Sequence, residues 1–261
     1  MGWLLICIFI MLLSCRGVVN SFAFFPDRDY SCPLPVYASE LMLETSDGIR
    51  LQCILMRHKP QSERIVIYFH GNAGNLYHRI SEAERLFSTG CDVFLSGYRG
   101  YGRSSGEPDE EGIYEDGMCV LNYVHVAPGY SYKNIFIYGR SLGTTVAVNS
   151  AMYFDVAGVV LITPLYNGEE LAKKFLPDFS VSVISGSFNS ADKIKNLKCP
   201  VLFIHGTDDE VIPYSHGLML YDTFQGNKKM VTITGGRHND LEFTDQELYW
   251  GEVDKFLARV F

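Results

Sequence analysis

One serine of this 261-residue chain lies between two glycines, in the run G-R-S-L-G at residues 139–143. The run follows an apolar, strand-like segment and precedes a stretch with helical character, so it predicts a sharp strand-to-helix turn that exposes the hydroxyl of Ser141 at the edge of a sheet. Glycines favour such a turn because the backbone is strained there and the strand packs closely against the helix. Ser141 is therefore a candidate nucleophile, and the alternative is a glycine-rich turn in which the serine caps a helix.

A histidine has to accept the proton of such a serine, because a serine hydroxyl is a poor nucleophile near neutral pH. Three histidines follow Ser141 in the chain. His238 lies in a loop directly after a strand-like segment, where open α/β sheets gather their catalytic groups. His205 belongs to a strand end that precedes the candidate acids, and His216 falls in a helix-like segment. The sequence therefore favours His238 as the base.

The carboxylate that orients this histidine is expected in the run T-D-D-E at residues 207–210, after another strand-like segment. Asp209 is our choice, but the residues leave Asp208 open, since either side chain could cap the helix that begins near Pro213. The chain order Ser141, Asp209, His238 is the order of an α/β-hydrolase and differs from the chymotrypsin and subtilisin orders.

A second glycine-rich run, H-G-N-A-G-N at residues 70–75, follows the apolar segment 64–69. Backbone N–H groups from such a loop can stabilise the oxyanion of an acyl-transfer intermediate together with the N–H that follows the nucleophile. We therefore predict an oxyanion hole formed by the amides of Asn72 and Leu142, with His70 bracing the loop. The alternative is a tight turn rich in small residues.

The elements that would position these groups alternate between strand-like and helical patterns. This alternation predicts an α/β fold with a mostly parallel sheet, right-handed crossovers and helices on both faces. Two further strands around Asp47-Gly48 predict an antiparallel hairpin with a two-residue turn at one edge. The predicted strands are 38–46, 49–57, 64–69, 91–96, 134–138, 157–163, 200–204 and 230–234, and the predicted helices are 81–88, 112–126, 141–153, 214–223 and 245–260.

A small cap is predicted at about residues 164–198, because this segment is too long for a simple loop and too short for a separate domain. Its apolar residues could line an acyl pocket beside Ser141 or could merely pack the cap onto the sheet. These residues are Leu165, Tyr166, Leu171, Phe175, Leu176, Phe179, Val181, Val183, Ile184 and Phe188.

Taken together, these motifs resemble those of the α/β-hydrolases, and in particular the small-lid serine hydrolases that include the α/β-hydrolase-domain depalmitoylating enzymes. The resemblance covers residues 22–261 and rests on F-F-P-D-R at 24–28, the loop at 70–75, Y-R-G-Y-G-R-S-S-G at 98–106, the turn at Ser141, and the runs at 205–213 and 236–240. It favours Asp209 as the acid. Relatives usually carry an aspartate where this chain has Gly97, so we expect altered hydrogen bonding around Arg99.

The function that these residues predict is hydrolysis of carboxylic esters or thioesters of small, lipid-like acyl substrates through an acyl-enzyme, without a metal or an organic cofactor. A serine aminopeptidase-like amide hydrolase is an alternative, because one fold and triad serve both reactions. A membrane-tethered binding module without catalysis is another. The formal net charge of −8, with no basic cluster, argues against nucleic-acid binding.

The amino terminus carries an unbroken apolar run at residues 3–13, which fits a signal-peptide core and is too short to span a bilayer as a helix. The run ends in L-L-S-C, which resembles a lipoprotein cleavage site. We therefore expect a signal peptide at residues 1–14, lipidation of Cys15, and an exported protein anchored to a membrane. A secreted protein and an uncleaved N-terminal anchor are the alternatives.

Cysteine usage predicts neither a disulfide framework nor a metal site. Of seven cysteines, five remain after Cys7 and Cys15 are set aside, an odd number whose spacing matches no metal site. Four of these are interpreted as small core residues, and a pairing of Cys32 with one of them stays open.

Overall fold

The computed structural model describes residue 20, residues 23–175 and residues 186–259. Within this part of the chain, one eight-stranded sheet forms the centre of the fold. Its strands are β1 (Ala38–Glu44), β2 (Arg50–Met56), β3 (Ile65–Phe69), β4 (Asp92–Ser96), β5 (Ile135–Arg140), β6 (Gly158–Ile162), β7 (Val201–Gly206) and β8 (Lys228–Ile233).

The spatial order of the strands is β1-β2-β4-β3-β5-β6-β7-β8. β1 pairs antiparallel with β2, and β2 pairs antiparallel with β4, whereas every pair from β4 to β8 is parallel. This arrangement confirms the predicted mostly parallel sheet with an antiparallel edge. Because the six parallel strands end at the same edge of the sheet, the loops that follow β3, β5, β7 and β8 meet there.

The predicted two-residue turn of the hairpin is wrong. The N–H of Thr45 donates to the carbonyl of Ile49 at 2.9 Å, and the N–H of Gly48 donates to the carbonyl of Thr45 at 3.0 Å. Three residues therefore lie between Thr45 and Ile49, the hydrogen-bonded pair that closes the hairpin beyond the ends of β1 and β2. Gly48 adopts φ +80°, a left-handed conformation that is typical of the glycine closing a three-residue hairpin loop.

The helices in the described ranges are α1 (Ile80–Phe87), α2 (Glu110–Val126), α3 (Gly143–Ala151), α4 (Gly168–Phe175), α5 (Ser190–Lys193), α6 (Tyr214–Thr223), α7 (Leu241–Thr244) and α8 (Gln246–Leu257). The five predicted helices correspond to α1, α2, α3, α6 and α8 and are confirmed to within a few residues. α4, α5 and α7 are short additions, and short 3₁₀ turns at Leu76–Arg79, Tyr132–Asn134 and Ile194–Asn196 join the main elements.

Two apolar cores lie on opposite faces of the sheet because side chains alternate along each strand. On β3, Ile65, Ile67 and Phe69 belong to the core that includes the buried residues of α2 and α3. Val66 and Tyr68 belong to the core that includes the buried residues of α1 and α8. The central strands are therefore buried on both faces, which explains their nearly continuous apolar runs.

The segment predicted as a cap contains α4, α5 and one 3₁₀ turn. Leu165 and Phe188 are buried and pack in the core, whereas Phe175 is largely exposed at the surface. Five of the predicted pocket residues lie outside the described residues: Leu176, Phe179, Val181, Val183 and Ile184. The predicted signal peptide and Cys15 also lie outside them, and none of the helices in the described ranges is long and apolar enough to cross a membrane.

Candidate active site

Ser141 lies at the turn between β5 and α3, as the sequence predicts. Its φ of 54° is in the left-handed region, which a non-glycine residue adopts only when the surrounding structure holds it there. The N–H of Ser141 donates to the carbonyl of Ile162 at 2.9 Å, which ties the turn to the end of β6. The serine is thus fixed at the carboxyl edge of the sheet in a strained backbone conformation.

Both flanking glycines are required by close packing. A Cβ atom on Gly139 would lie 2.6 Å from the carbonyl oxygen of Gly143, so the strand could not continue directly into α3. A Cβ atom on Gly143 would lie 2.1 Å from the carbonyl oxygen of Phe69, at the end of β3. These glycines let the start of α3 approach the loop that follows β3.

His238 reaches Ser141 from the loop between β8 and α7. Its Nε2 atom lies 3.0 Å from the Oγ atom of Ser141, and its Nδ1 atom lies 2.8 and 3.1 Å from the two carboxylate oxygens of Asp209. All three residues are buried. A proton on Nδ1 would be held by Asp209, which leaves Nε2 free to accept the serine proton.

The carboxylate of Asp209 is held in place by the loop that follows β7. Its Oδ1 atom accepts hydrogen bonds from the backbone N–H groups of Val211 at 2.9 Å and Ile212 at 2.8 Å. Asp208 instead accepts a hydrogen bond from the hydroxyl of Thr207 at 2.8 Å, in an exposed position. Of the two candidate acids, the structure therefore brings Asp209 to the histidine and leaves Asp208 at the surface.

His205 lies on the far side of Asp209 from His238. Its Nε2 atom is 2.9 Å from the carbonyl oxygen of Ile212 and 3.3 Å from the Oδ2 atom of Asp209. Burial opposes the charged form of the carboxylate, but hydrogen bonds from His205 and His238 outweigh burial and lower the pKa of Asp209 below its ordinary value. We did not predict this contact, and the four-residue spacing between His205 and Asp209 was the signal available for it.

His216, the third histidine of the downstream set, does not reach the site. Its Nδ1 atom accepts a hydrogen bond from the N–H of Tyr166 at 3.3 Å. Burial, with a smaller contribution from the nearby His205, lowers the pKa of His216 to about 4. This imidazole is therefore neutral at physiological pH and anchors the segment that follows β6.

The predicted oxyanion loop runs beside the serine turn. A Cβ atom on Gly71 would lie 3.5 Å from the Cβ atom of Ser141, and Asn72 follows in a half-buried position. Leu142 is buried at the start of α3. The residue before Asn72 therefore lies against Ser141, and Leu142 follows the serine directly, so the two predicted oxyanion donors belong to two different elements.

His70, at the start of this loop, is buried and engaged with its own neighbour. Its Nδ1 atom donates to the carbonyl of Gly71 at 2.7 Å. Burial is the main reason that the pKa of His70 falls to about 3, so the ring stays neutral. This geometry fits a residue that braces the loop.

Arg140, the residue between Gly139 and the serine, connects the turn to two other elements. Its guanidinium contacts Glu82 of α1 at 3.1 Å and Glu242 of α7 at 3.0 and 3.2 Å. α7 follows His238 in the chain, so this ion pair links the element that carries the serine to the element after the histidine. No local sequence pattern predicts this ion pair, because the partners lie 58 and 102 residues away.

Gly97, the position at which the family resemblance predicts an aspartate, is tightly packed: a Cβ atom there would lie 2.3 Å from the carbonyl oxygen of Gln52. Arg99 nevertheless has acidic partners. Its guanidinium contacts Asp116 through Nε at 3.0 Å and Nη2 at 2.8 Å, and it contacts Asp47 through Nη1 at 2.8 Å. The carboxylates of Asp116 and Asp47 therefore hold Arg99 in place without an aspartate at position 97.

Five cysteines fall in the described ranges, and all are free thiols, so a disulfide at Cys32 is not present. Cys53, Cys91 and Cys199 are buried, as expected of small core residues, whereas Cys119 is partly exposed. Within the same ranges, no group of three or more His, Cys, Asp or Glu side chains is arranged to hold a metal ion.

Comparison with known proteins places this chain in a family. Residues 60–184 match the family model described as serine aminopeptidase, S33, and residues 137–239 match the one described as serine hydrolase (FSH1). Human α/β-hydrolase domain-containing protein 17B is 36% identical over 208 residues, which cover 79% of this chain and 71% of the relative. The chain belongs to this α/β-hydrolase family. The Xenopus laevis 17B protein is 35% identical over 219 residues, covering 84% of this α/β-hydrolase and 74% of the relative.

Solved structures agree with the fold of this serine hydrolase. An esterase from Pyrococcus furiosus aligns with a TM-score of 0.73 at 20% sequence identity, over 91% of this chain and 97% of the esterase. At this identity the likeness speaks for the fold alone. The predicted α/β-hydrolase fold and the predicted family are both confirmed.

Proposed function

We propose that this α/β-hydrolase cleaves carboxylic esters or thioesters through an acyl-enzyme intermediate, with Ser141, His238 and Asp209 as its catalytic triad. The observation that carries the proposal is the continuous chain of hydrogen bonds from the serine hydroxyl through both ring nitrogens to the carboxylate, at 3.0 and 2.8 Å. The strained, buried serine and the glycines around it support the same reading, because they hold the hydroxyl at one position beside its base.

In the first half of the reaction, Ser141 Oγ forms a bond with the acyl carbon while its proton moves to His238 Nε2. The carbonyl π electrons move onto oxygen, and the amides of Asn72 and Leu142 donate hydrogen bonds to that oxyanion. Asp209 stabilises the imidazolium that forms, since its carboxylate is charged and already bonded to Nδ1. When the oxyanion collapses, the bond to the leaving alcohol or thiol breaks, and the leaving group takes the proton from Nε2.

In the second half, a water molecule attacks the acyl-Ser141 ester while His238 accepts one of its protons. The second tetrahedral intermediate collapses, the bond between Oγ and the acyl carbon breaks, and the proton on Nε2 returns to Oγ. The carboxylic acid leaves, and the site returns to its starting state. Ser141 and His238, with the leaving group and water, account for every proton transfer in this mechanism without a metal or an organic cofactor.

The substrate class is proposed from the apolar surroundings of the serine turn. The N–H of Leu165 bonds the hydroxyl of Thr144, three residues after the nucleophile, at 3.3 Å, which places this apolar cap residue beside the start of α3. Phe188 of the cap packs edge-to-face on Phe24, with ring centroids 6.1 Å apart. We infer an acyl group from the apolar character of this segment, while Leu165, Phe188 and Phe24 themselves are packed in the core.

A chain-length series of acyl esters and matched thioesters tests this function. We expect turnover by the parent protein, a mass increase equal to one acyl group on the peptide that contains Ser141, and loss of both in Ser141→Ala. Turnover that persists in Ser141→Ala at the parent rate would refute the proposed nucleophile. Failure of every ester and thioester to acylate a folded parent would refute the substrate class.

Amide hydrolysis at a chain terminus is the second candidate, and the observation that favours it is the match of residues 60–184 to the serine aminopeptidase model. Aminoacyl amides with a chromogenic leaving group, offered beside acyl esters of equal size, separate the two activities. A kcat/KM for the amides above that for the esters supports the peptidase.

We also propose that the protein is exported and anchored to a membrane through a lipid on Cys15. The support is the apolar run at residues 3–13 and the cysteine that follows it. Full-length protein should partition into the detergent phase of a Triton X-114 separation, and Cys15→Ser should move it to the aqueous phase. Equal partitioning of both proteins would contradict lipidation at this residue.

A further inference from the structure

Two tyrosines of the run at 98–106 bond to the oxyanion loop. The hydroxyl of Tyr98 donates to the carbonyl oxygen of His70 at 2.8 Å, and the hydroxyl of Tyr101 donates to the carbonyl oxygen of Asn72 at 2.6 Å. Both rings are almost completely buried. Two side chains of this run are therefore bonded to backbone carbonyls of the loop at residues 70–75.

The carbonyl between these two has its own donor. His70 Nδ1 bonds the carbonyl oxygen of Gly71 at 2.7 Å. The imidazole lies against both tyrosine rings, with centroid distances of 4.5 Å to Tyr98 and 5.4 Å to Tyr101. Three consecutive peptide groups, those that begin at residues 70, 71 and 72, are therefore each held by a separate side-chain donor.

Holding a carbonyl also aims the N–H of the same peptide group. A peptide unit is planar and trans, so its C=O and N–H point in opposite directions. The N–H of Asn72 shares its plane with the carbonyl of Gly71, and fixing the neighbouring planes on both sides prevents that plane from rotating. An oxyanion donor works best when it is already aimed, because no reorganisation is then needed in the transition state.

The tyrosines are themselves well anchored. Arg99, between them in the chain, is bonded through its backbone N–H to Asp116 at 2.8 Å as well as through its guanidinium. Burial raises the pKa of both tyrosine hydroxyls, so each remains a proton donor. On the other side of the loop, the N–H of Phe25 gives the carbonyl of Asn72 a second donor at 2.9 Å.

We propose that Tyr98 and Tyr101 are positioning residues for the oxyanion hole, a pair we call the tyrosine clamp. Their hydroxyls hold the loop so that the N–H of Asn72 faces the oxyanion formed at Ser141. The clamp rests on the proposed function, because it acts through an oxyanion donor. It touches neither the substrate nor the reacting atoms.

Hydroxyl deletion tests the clamp with little change in packing. Tyr98→Phe should lower kcat by about tenfold, and Tyr101→Phe by a smaller factor, because the N–H of Phe25 still donates to the carbonyl of Asn72. The double variant should lose more than either single variant, since complete loss of one oxyanion donor costs roughly 10²–10³ in kcat. KM should stay within about twofold because the ground-state contacts remain. Tyr130→Phe is the matched control. The hydroxyl of Tyr130 is buried and donates to Asp92 at the amino end of β4, away from the carboxyl ends of the strands, so its loss should leave kcat unchanged.

A tetrahedral adduct separates positioning from general softening of the fold. The inhibition constant of an alkyl boronic acid, which forms such an adduct on an active serine, should rise in the Phe variants by the factor by which kcat/KM falls. The proposal is overturned if the double variant keeps the kcat and the inhibition constant of the parent and only its Tm falls, as in Tyr130→Phe. The two tyrosines would then have a structural role alone.

Hydrogen exchange distinguishes failure of the clamp from failure of the proposed function. Peptides that cover residues 70–75 should exchange faster in the double variant than in the parent, whether or not the parent turns over a substrate. If the parent protein turns over no ester, thioester or amide, the proposed function fails. The exchange result alone then decides whether the tyrosines hold the loop. Identical exchange in the two proteins overturns the clamp in either case.

Discussion

Replacing Asp209 with asparagine should remove most of the activity while keeping the shape of the site. Asparagine has one carbonyl oxygen and one NH₂ group, and the surroundings of Asp209 decide where each goes. The position of Oδ1 faces the N–H groups of Val211 and Ile212 at 2.9 and 2.8 Å, so the carbonyl oxygen has to stay there. The NH₂ group then takes the position of Oδ2, 2.8 Å from His238 Nδ1.

An NH₂ group at that position can only donate to Nδ1, which forces the proton of His238 onto Nε2. A protonated Nε2 of the neutral ring cannot accept the proton of Ser141, so the general base is lost. The same change of tautomer in a serine protease triad lowers kcat by about 10⁴. At about 1.4 kcal/mol per factor of ten, this corresponds to about 5 kcal/mol of transition-state stabilisation. We expect a loss of that size in Asp209→Asn, with KM changed by less than about threefold.

The assay is steady-state hydrolysis of the best ester or thioester by the parent, Asp209→Asn and Asp208→Asn. Asp208 is the matched control because it is adjacent and exposed, and the contact that the structure records for its side chain is with Thr207. We expect Asp208→Asn to keep activity within about twofold of the parent. An Asp209→Asn variant that folds and retains more than a tenth of the parent kcat, or an equal loss in Asp208→Asn, would refute the assignment.

Three further outcomes follow from packing and charge. Gly143→Ala should lower the unfolding free energy by about 1–3 kcal/mol and reduce kcat, because the added Cβ atom would meet backbone oxygens. Gly251→Ala in α8 adds a Cβ atom in open space and should raise the unfolding free energy by about 1 kcal/mol. Urea denaturation measures both changes. Arg140→Met should cost about 3 kcal/mol or more, since it leaves the carboxylates of Glu82 and Glu242 without their cationic partner, and a loss under 1 kcal/mol would contradict the ion-pair network.

His216 should make stability fall as the solution becomes more acidic. The unfolded chain binds a proton on this imidazole below about pH 6.5, whereas the folded chain binds it only near the lowered pKa of about 4. Between these values the unfolding free energy therefore falls with falling pH, by at most about 1.4 kcal/mol per pH unit. Urea denaturation of His216→Gln and the parent at several pH values should show their stability difference changing in the variant's favour on acidification, and a constant difference would contradict the burial argument.

The turn at Ser141 could be predicted from sequence because its signal is local. The glycines, the strand before them and the helix after them depend on contacts within one short segment and one neighbouring strand. The same holds for the parallel strands, whose apolar runs reflect burial on both faces. His238 could be found because few histidines follow the serine and only one of them lies in a loop after a strand.

Other features depend on which side chains of distant segments meet, and the sequence does not encode that locally. The choice between Asp208 and Asp209 depends on the direction of two adjacent side chains in one loop. The contacts of Tyr98, Tyr101 and Arg140 join elements separated by tens of residues, so no periodicity announces them. The helices α5 and α7 have four residues each, too few to show a helical repeat, whereas the eight residues of α4 are amphipathic but form only two turns.

Covalent labelling with a fluorophosphonate probe tests the central claim most directly, because the probe reacts with an activated serine and not with an ordinary one. The purified parent protein, Ser141→Ala and His238→Ala should be treated together, and the modified peptide should be identified by mass spectrometry. The account predicts one probe per parent molecule on Ser141 and no labelling of either folded variant. A folded parent that does not label, or labelling that persists after Ser141→Ala, would contradict the assignment of Ser141 as the nucleophile.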